Sequence, residues 1–285
     1  DPMICKMRMD SLLKIQTDQP FLWYLRAVNA MDRKKNEECI ELLQKNEEFG
    51  KKFPFLYYQL AKSHFFALEW ETAKQYFQQF LTVYPGNHFR LDARFKMAIC
   101  DAMGEKPYDA IPVFQQIAKA EPTTLDEDLH ALKLSKQFST RVLTPNEKIL
   151  YQSRNLFDGG YYTRSAELLS PFLSKPLELS HDERTEIYYR LGRIYLDQNQ
   201  FASARLYFTL CLQQNPTNKL WMKVYSTFYL GQLYEKTQDW HSARRMFREA
   251  LQYDGYEYQN GLEQKAKAGL ERLKNKTYEL PKDKK

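Results

Sequence analysis

The residue types that most often carry chemistry in enzymes are present in this sequence, but their spacing does not bring them together. Five histidines are scattered over it, at His64, His88, His130, His181 and His241. The run Ser180-His181-Asp182 has the residue types of a catalytic triad, but neighbours in sequence cannot form one, and Ser180 is explained as a helix cap. The side chains of Asp126-Glu127-Asp128 would point in different directions on a helix, where acidic residues favour the N-terminus. We therefore predict no enzyme activity, no catalytic residue, no metal site and no cofactor.

The cysteines have no metal-binding spacing either. They lie at positions 5, 39, 100 and 211, without a CxxC pair. Free thiols buried in the core are the expected state of Cys39 and Cys211. Unpaired core thiols favour a reducing, cytoplasmic compartment. No apolar run approaches the ~20 residues that span a bilayer, and no signal peptide is visible. Because the sequence starts at Asp1 rather than Met, a lost signal and a periplasmic location stay open.

The elements that would have to position a site are clearest between Thr185 and Pro216. Small and apolar residues recur there at helical spacing on two segments with a short polar turn between them. They are Leu191, Gly192 and Tyr195 on the first segment, and Ala204, Phe208 and Cys211 on the second. This helix–turn–helix pattern of about 34 residues resembles the tetratricopeptide repeat. Since one such unit cannot bury its own apolar face, the chain should contain several.

Further segments align with this one when Thr185 is counted as position 1. Six units then start at residues 20, 54, 91, 147, 185 and 224. Position 8 holds a small residue in five of them, which would let the two helices of a pair approach closely: Ala27, Ala61, Ala98, Gly192 and Gly231. The fourth unit departs from the pattern, with Arg154 at position 8 and Ala166 at position 20. The resemblance implies an all-α fold, a right-handed α-α superhelix of about six helix–turn–helix repeats.

One stretch of the sequence fits no repeat. Residues 123–142 carry a capping box, Thr124 with Glu127, and an apolar stripe, which together predict an inserted helix. The predicted organisation is an N-terminal arm with a leading helix at 1–122, the inserted helix at 123–142, a C-terminal arm at 143–259, a capping helix at 260–275 and a basic, disordered tail at 276–285.

The aligned repeats share an aromatic residue at position 5. It is Tyr24, Tyr58, Phe95, Tyr151, Tyr189 and Phe228 in the six units. Positions 2, 5, 9 and 12 share a helix face about 120° from the core face, and the resemblance implies that this face lines a concave groove. The position-9 residues Lys62, Asn155, Arg193 and Gln232 complete the predicted protein-binding groove. Two interpretations stay open: the rings contact a bound peptide, or they pack between neighbouring helices.

We therefore expect a non-enzymatic scaffold or adaptor that binds a peptide or protein segment in an aromatic-lined groove. One alternative is an envelope or periplasmic assembly component, because AKQYFQQFLTVYP resembles the repeats of periplasmic assembly lipoproteins. Another is nucleic-acid binding through the basic C-terminal third. Nucleic acid is the less expected partner, because the net charge of +6 is spread along the chain. The exposed flat faces of a solenoid would also allow a homodimer.

Overall fold

The predicted all-α architecture is confirmed. The computed structural model describes residues 1–121 and 123–276, without the side chain of Leu177. Within these residues the chain forms fifteen α-helices and four short 3-10 helices, and no β-strand. The helices are α1 Pro2–Leu13, α2 Pro20–Asp32, α3 Asn36–Gln44, α4 Phe55–Ala67, α5 Trp70–Val83, α6 Arg90–Met103, α7 Ala110–Ala118, α8 Asp126–Phe138, α9 Pro145–Gly159, α10 Tyr162–Leu169, α11 His181–Asp197, α12 Phe201–Leu212, α13 Leu220–Lys236, α14 Trp240–Ala250 and α15 Gln259–Arg272.

Local sequence explains where several helices begin. Thr144 caps α9 and Ser180 caps α11, and in both cases the glutamate three residues later bonds back to the cap. The predicted capping box at Thr124 does not form. Helix α8 begins instead at Asp126, with Leu125 at the cap and three acidic residues in its first turn. Those acidic residues complement the positive end of the helix.

The turn inside most of the helix pairs, although not the turn between α6 and α7, uses one residue in the left-handed conformation. It falls at repeat position 15, at Lys34, Leu68, Asn199 and Gln238, with φ between 58° and 68°. Gly160 has the corresponding conformation between α9 and α10, with φ of 86°. Gly160 occupies position 15 only if the fourth repeat starts at residue 146, one residue before the predicted start.

A second observation supports this change of register. Ser153 and Ser165 are fully buried where α9 and α10 cross, and their hydroxyl oxygens are 2.9 Å apart. In the corrected register they take positions 8 and 20, where the other repeats have small residues. The placement of Arg154 and Ala166 at those positions was therefore wrong. Tyr151 and Asn155 consequently move to positions 6 and 10, and Leu150 and Arg154 take positions 5 and 9.

Small residues at position 8 allow close packing in the other pairs. A Cβ atom at Gly192 would lie 2.5 Å from Phe208, and one at Gly231 would lie 2.6 Å from Phe247. Both phenylalanines belong to the partner helix of the pair and are fully buried. The absence of a side chain at these glycines is therefore what admits the aromatic ring.

The chain divides into two compact units, residues 1–165 and 166–285. This boundary differs from the predicted division at the inserted helix, because α8 and α9 both belong to the first unit. In that unit α1 to α7 pack consecutively, α8 packs on α6 and α7, and α9 packs on α4. Helix α8 lies inside the predicted 123–142 segment.

In the second unit α11 to α14 pack consecutively, and α15 packs on α13 and α14. The predicted capping helix is present, with Leu262, Ala266 and Leu273 buried. The predicted tail lies outside the described residues except for Lys276, and so does Pro122. None of the described helices is long and apolar enough to cross a membrane. Cys39, Cys100 and Cys211 are buried free thiols, and Cys5 is exposed.

Candidate functional site

The row of aromatic residues at position 5 belongs mostly to the core. Tyr58, Phe95, Tyr189 and Phe228 are only 2–6% exposed. For these four rings, packing between helices is therefore the correct interpretation. Tyr24 keeps some exposure and packs against Phe53 and Phe55, with ring centroids 5.4 and 6.1 Å away.

In the first unit, polar side chains on the predicted groove face interact with one another. The Tyr58 hydroxyl donates to Asp92 at 2.5 Å, and Asp92 also pairs with Lys96. The Lys62 ammonium lies 5.6 Å from the centre of the Tyr58 ring. Burial, together with the charge of Lys96, lowers the pKa of Lys62. These groups already interact with one another, which reduces what they can offer to a ligand.

The same face of the first unit is packed against two of its own helices. Phe138 of α8 contacts Phe95 and Phe114, with centroids 6.4 and 5.6 Å apart. Tyr151 of α9 contacts Phe65 of α4 edge-on at 6.3 Å. Side chains that would line the groove of the N-terminal arm are therefore in contact with α8 and α9.

The end of α9 is held by bonds to the first two repeats. Lys34 donates to the carbonyl oxygen of Asp158 at 3.0 Å. The side-chain amide nitrogen of Asn36 donates to the Ser63 carbonyl oxygen at 2.8 Å and to the Tyr161 hydroxyl at 3.0 Å. Asn155, a predicted groove residue, is 3% exposed, and its amide nitrogen has no hydrogen-bond partner among the described residues.

The second unit presents a cluster of aromatic rings around Trp221. Trp221 contacts Tyr189, Tyr225 and Tyr258, with centroids 5.5, 5.9 and 5.5 Å apart and ring planes 73–89° from parallel. Tyr229 adjoins the cluster, 6.4 Å from Tyr189. We call these five residues the Trp221 patch. Trp221, Tyr225 and Tyr229 are partly exposed, and Tyr258 is 56% exposed.

The predicted groove residue Arg193 borders this patch. Its guanidinium lies 4.7 Å from the centre of the Tyr229 ring and donates to the Tyr189 hydroxyl at 3.3 Å. Gln232, the other predicted position-9 residue of this unit, is partly exposed on the neighbouring helix α13. Burial raises the pKa of Tyr225 and Tyr229, so both hydroxyls carry their proton at neutral pH and can donate hydrogen bonds.

One acidic group of α11, Glu186, is neutralised by cations. Glu186 pairs with Arg190 on its own helix and with Lys219 at 3.0 Å. Burial by itself would raise the pKa of Glu186, but the two cations outweigh burial and lower that pKa to about 2. This carboxylate is consequently ionised at neutral pH and engaged by both cations.

A second surface of this unit is basic. An open cleft beside α14 is lined by His241, Arg244, Arg245, Arg248, Glu249, Gln252 and Tyr253. Arg244 donates to the carbonyl oxygen of Leu273 at 2.6 Å. Arg245 and Arg248 are exposed. Over the described residues, no group of three histidine, cysteine or acidic side chains comes together to hold a metal ion.

Sequence reasoning missed the centre of the Trp221 patch. Trp221 precedes the aligned start of the sixth repeat, and Tyr258 follows its end, so neither has a position in the repeat. Tyr225 is at position 2 and could have been chosen from the groove face. The usable signal was the i, i+4 spacing of Trp221 and Tyr225, which places both on one side of a helix.

Comparison with known families identifies three of the repeats. Two family models, both described as the tetratricopeptide repeat, match the chain: one at residues 185–218, the other at 56–87 and 225–254. These segments are the predicted fifth, second and sixth repeats. A search of the curated proteins found no similar sequence.

Proposed function

We propose that this chain, which contains tetratricopeptide repeats, is a non-enzymatic scaffold or adaptor that binds a protein segment at the Trp221 patch. Tetratricopeptide repeats are typical of protein–protein interaction scaffolds. Stacked helical repeats create extended surfaces that such proteins use for binding. The proposal places the binding site in the second unit rather than along both arms.

One contrast carries the proposal. In the first unit, Phe65 and Phe95 of the predicted groove face are packed against α9 and α8. In the second unit, Trp221 and Tyr225 stay partly exposed, in a cluster that Arg193 contacts through Tyr189 and Tyr229. Tryptophan, tyrosine and arginine dominate binding energy at protein interfaces, because they combine a large apolar area with a polar tip.

The test is affinity capture with the full chain as bait. Substituting Tyr189 and Phe228 is unsuitable, because both side chains are buried and Phe228 packs on Phe247 in the core. The double variant Trp221→Ala/Tyr225→Ala should lose proteins that the wild type captures. Because both rings also pack on the core of this unit, its circular dichroism spectrum is compared with that of the wild type to show that it stays folded. Tyr108→Ala, at a 71% exposed tyrosine of the first unit, is the matched control and should capture the same proteins as wild type. If the double variant captured the same set as well, the Trp221 patch would not be the binding site.

A second candidate function rests on the cleft beside α14. His241, Arg245 and Arg248 follow one another at i, i+4 and i+7, so they share one side of the helix. We propose this side as the place where an anionic partner such as nucleic acid would bind. Binding of a labelled single-stranded oligonucleotide should then fall steeply with salt and be lost in Arg245→Ala/Arg248→Ala. Weak binding that this variant leaves unchanged would rule the candidate out.

A further inference from the structure

The Trp221 patch is an uneven aromatic surface. Each of the three tyrosines in contact with Trp221 meets its ring nearly at right angles, at 73°, 89° and 80°. Rings arranged in this way present faces and edges in several directions instead of one continuous plane. Such a surface suits a ligand with a ridge of compact apolar groups better than a flat one.

The polar atoms of the patch can all donate hydrogen bonds, and the tyrosine hydroxyls can also accept them. The indole nitrogen of Trp221 and the hydroxyls of Tyr225 and Tyr258 make no hydrogen bond to the residues that the structure describes, and none of the three side chains is buried. An indole N–H can only donate. A matching ligand therefore offers carbonyl acceptors that its own backbone does not use.

Backbone chemistry then separates the possible ligand conformations. A helical ligand satisfies most of its carbonyl groups internally, and a β-strand ligand needs acceptors for its N–H groups as well as donors for its carbonyls. A polyproline II segment has no internal hydrogen bonds, and proline lacks the N–H altogether. Of the three, it is the one that presents free carbonyl acceptors with few competing donors.

Charge argues against the other ligand that aromatic clusters commonly bind, a cation. The carboxylate of Glu186 is already paired with Arg190 and Lys219. Arg193 lies over Tyr229 at the border of the patch. Arg193 and Lys219 would repel a cationic ligand and attract an acidic flank, and Asp197, which also acts on Arg193 and Tyr229, offsets part of this positive charge.

The dimensions agree with this choice. The accessible rings of Tyr225 and Tyr258 are 5.9 and 5.5 Å from Trp221, so their centres are separated by no more than the sum of these two distances. One turn of a polyproline II helix rises about 9 Å. A segment of one to two turns therefore spans the rings of Trp221, Tyr225 and Tyr258.

We propose that the partner segment is proline-rich, with an acidic flank, and binds the Trp221 patch as a polyproline II helix. This inference rests on the proposed scaffold function and specifies the partner of the same site. The aromatic rings of the Trp221 patch would pack against the pyrrolidine rings of the peptide, while the Trp221 indole and the Tyr225 hydroxyl donate to carbonyl oxygens of the peptide.

The experiment measures binding of two labelled peptides to the full chain by fluorescence anisotropy. The first probe is nonaproline with two aspartates at one end, and the second has alanines in place of the prolines. The proline probe should bind at least about tenfold more tightly than the alanine probe. Trp221→Ala should weaken its binding by about tenfold or more, the effect of losing an aromatic hot spot. Tyr225→Phe, which keeps the ring and removes the donor, should weaken it several-fold, and Tyr108→Ala should leave it unchanged.

Failure of this inference is distinguishable from failure of the proposed function. If the proline probe does not bind, binds no better than the alanine probe, or binds Trp221→Ala equally well, the polyproline inference is overturned. The scaffold proposal would survive that result if captured proteins were still lost from Trp221→Ala/Tyr225→Ala. A capture experiment insensitive to that double variant would overturn both.

Discussion

Ser153 and Ser165 meet where α9 crosses α10, with their hydroxyl oxygens 2.9 Å apart. The Ser165 hydroxyl also lies 2.8 Å from the carbonyl oxygen of Ser153, and neither residue is exposed. Alanine or glycine holds position 8 in the other pairs. A buried hydroxyl here is tolerated because each serine supplies the partner that the other one needs.

This pairing predicts a coupled effect on stability. Ser153→Ala or Ser165→Ala alone should lower the free energy of unfolding by about 1 kcal/mol, because each leaves the other hydroxyl with fewer partners. The double variant should lose less than the sum of the two, since the bond between the two hydroxyls is lost in either single variant and can be lost only once. Urea unfolding of the four proteins, followed by circular dichroism, measures the difference. Strictly additive losses would contradict the pairing.

Close packing at Gly192 predicts a loss of thermal stability on enlargement. Gly192→Ala should lower the free energy of unfolding by about 1–3 kcal/mol, because its Cβ would press on the buried ring of Phe208. Gly192→Leu should lower the melting temperature further. Gly261→Ala is the control, since nothing lies within 4 Å of a Cβ at that helical position. It should leave the melting temperature unchanged or raise it. An unchanged transition in Gly192→Leu would mean that this packing is wrong.

A substitution at Gly160 should lower the free energy of unfolding by more than the left-handed backbone conformation alone would. Gly160→Ala combines a left-handed backbone with overlap between the new Cβ and the carbonyl oxygen of Lys34. Gly255→Ala also has a positive φ, 66°, but open space around it. Gly255→Ala should lower the free energy of unfolding by about 1–2 kcal/mol, and Gly160→Ala should lower it clearly more. Differential scanning calorimetry of both proteins tests this ranking, and equal shifts would argue against contact between Gly160 and Lys34.

Glu186 predicts an acid-sensitive contribution to stability. Its pKa in the folded chain is about 2, below its value of 4.5 in an unfolded chain, so the unfolded state binds the proton first as the pH falls. The contribution is therefore complete above about pH 5 and is lost between there and pH 2, with an upper magnitude of about 3 kcal/mol.

Glu186→Gln should therefore be less stable than wild type at pH 7, and the difference should shrink as the pH approaches 2. The measurement is urea unfolding at a series of pH values. Glu178→Gln removes an exposed ion pair with Lys175 and should change stability little at any pH. A difference for Glu186→Gln that did not depend on pH would count against the ion pairs.

Sequence alone was sufficient where the packing residues are chemically unambiguous. In the fifth and sixth repeats, glycine at position 8 faces phenylalanine at position 24, and few other combinations fill that space. In the fourth repeat, Ala166 was assigned to position 20 because alanine is the usual small core residue. Ser165 is the buried residue instead, and its burial depends on a partner on another helix, Ser153, which a linear pattern does not reveal.

The candidate site was less predictable because it depends on contacts between elements. The aromatic type at position 5 was correctly noticed, but ring exposure depends on what packs above each ring. Phe95 is covered by a helix that lies outside the repeats, and Trp221 gains its neighbours from α11 and from the start of α15. Periodicity describes one helix at a time and contains no information on contacts between side chains of different helices.

Asp128 has a consequence for the order in which the chain can fold during synthesis. Its carboxylate accepts the backbone N–H groups of Phe89 and Asp92, at the start of α6 and 36 or more residues earlier in the chain. Such groups at a helix start have no partner within the helix. A nascent chain emerging from the ribosome would expose them until α8 had also been made. The third repeat therefore should reach its final stability only after the segment that follows it has been translated, unlike a repeat that depends on its immediate neighbours alone.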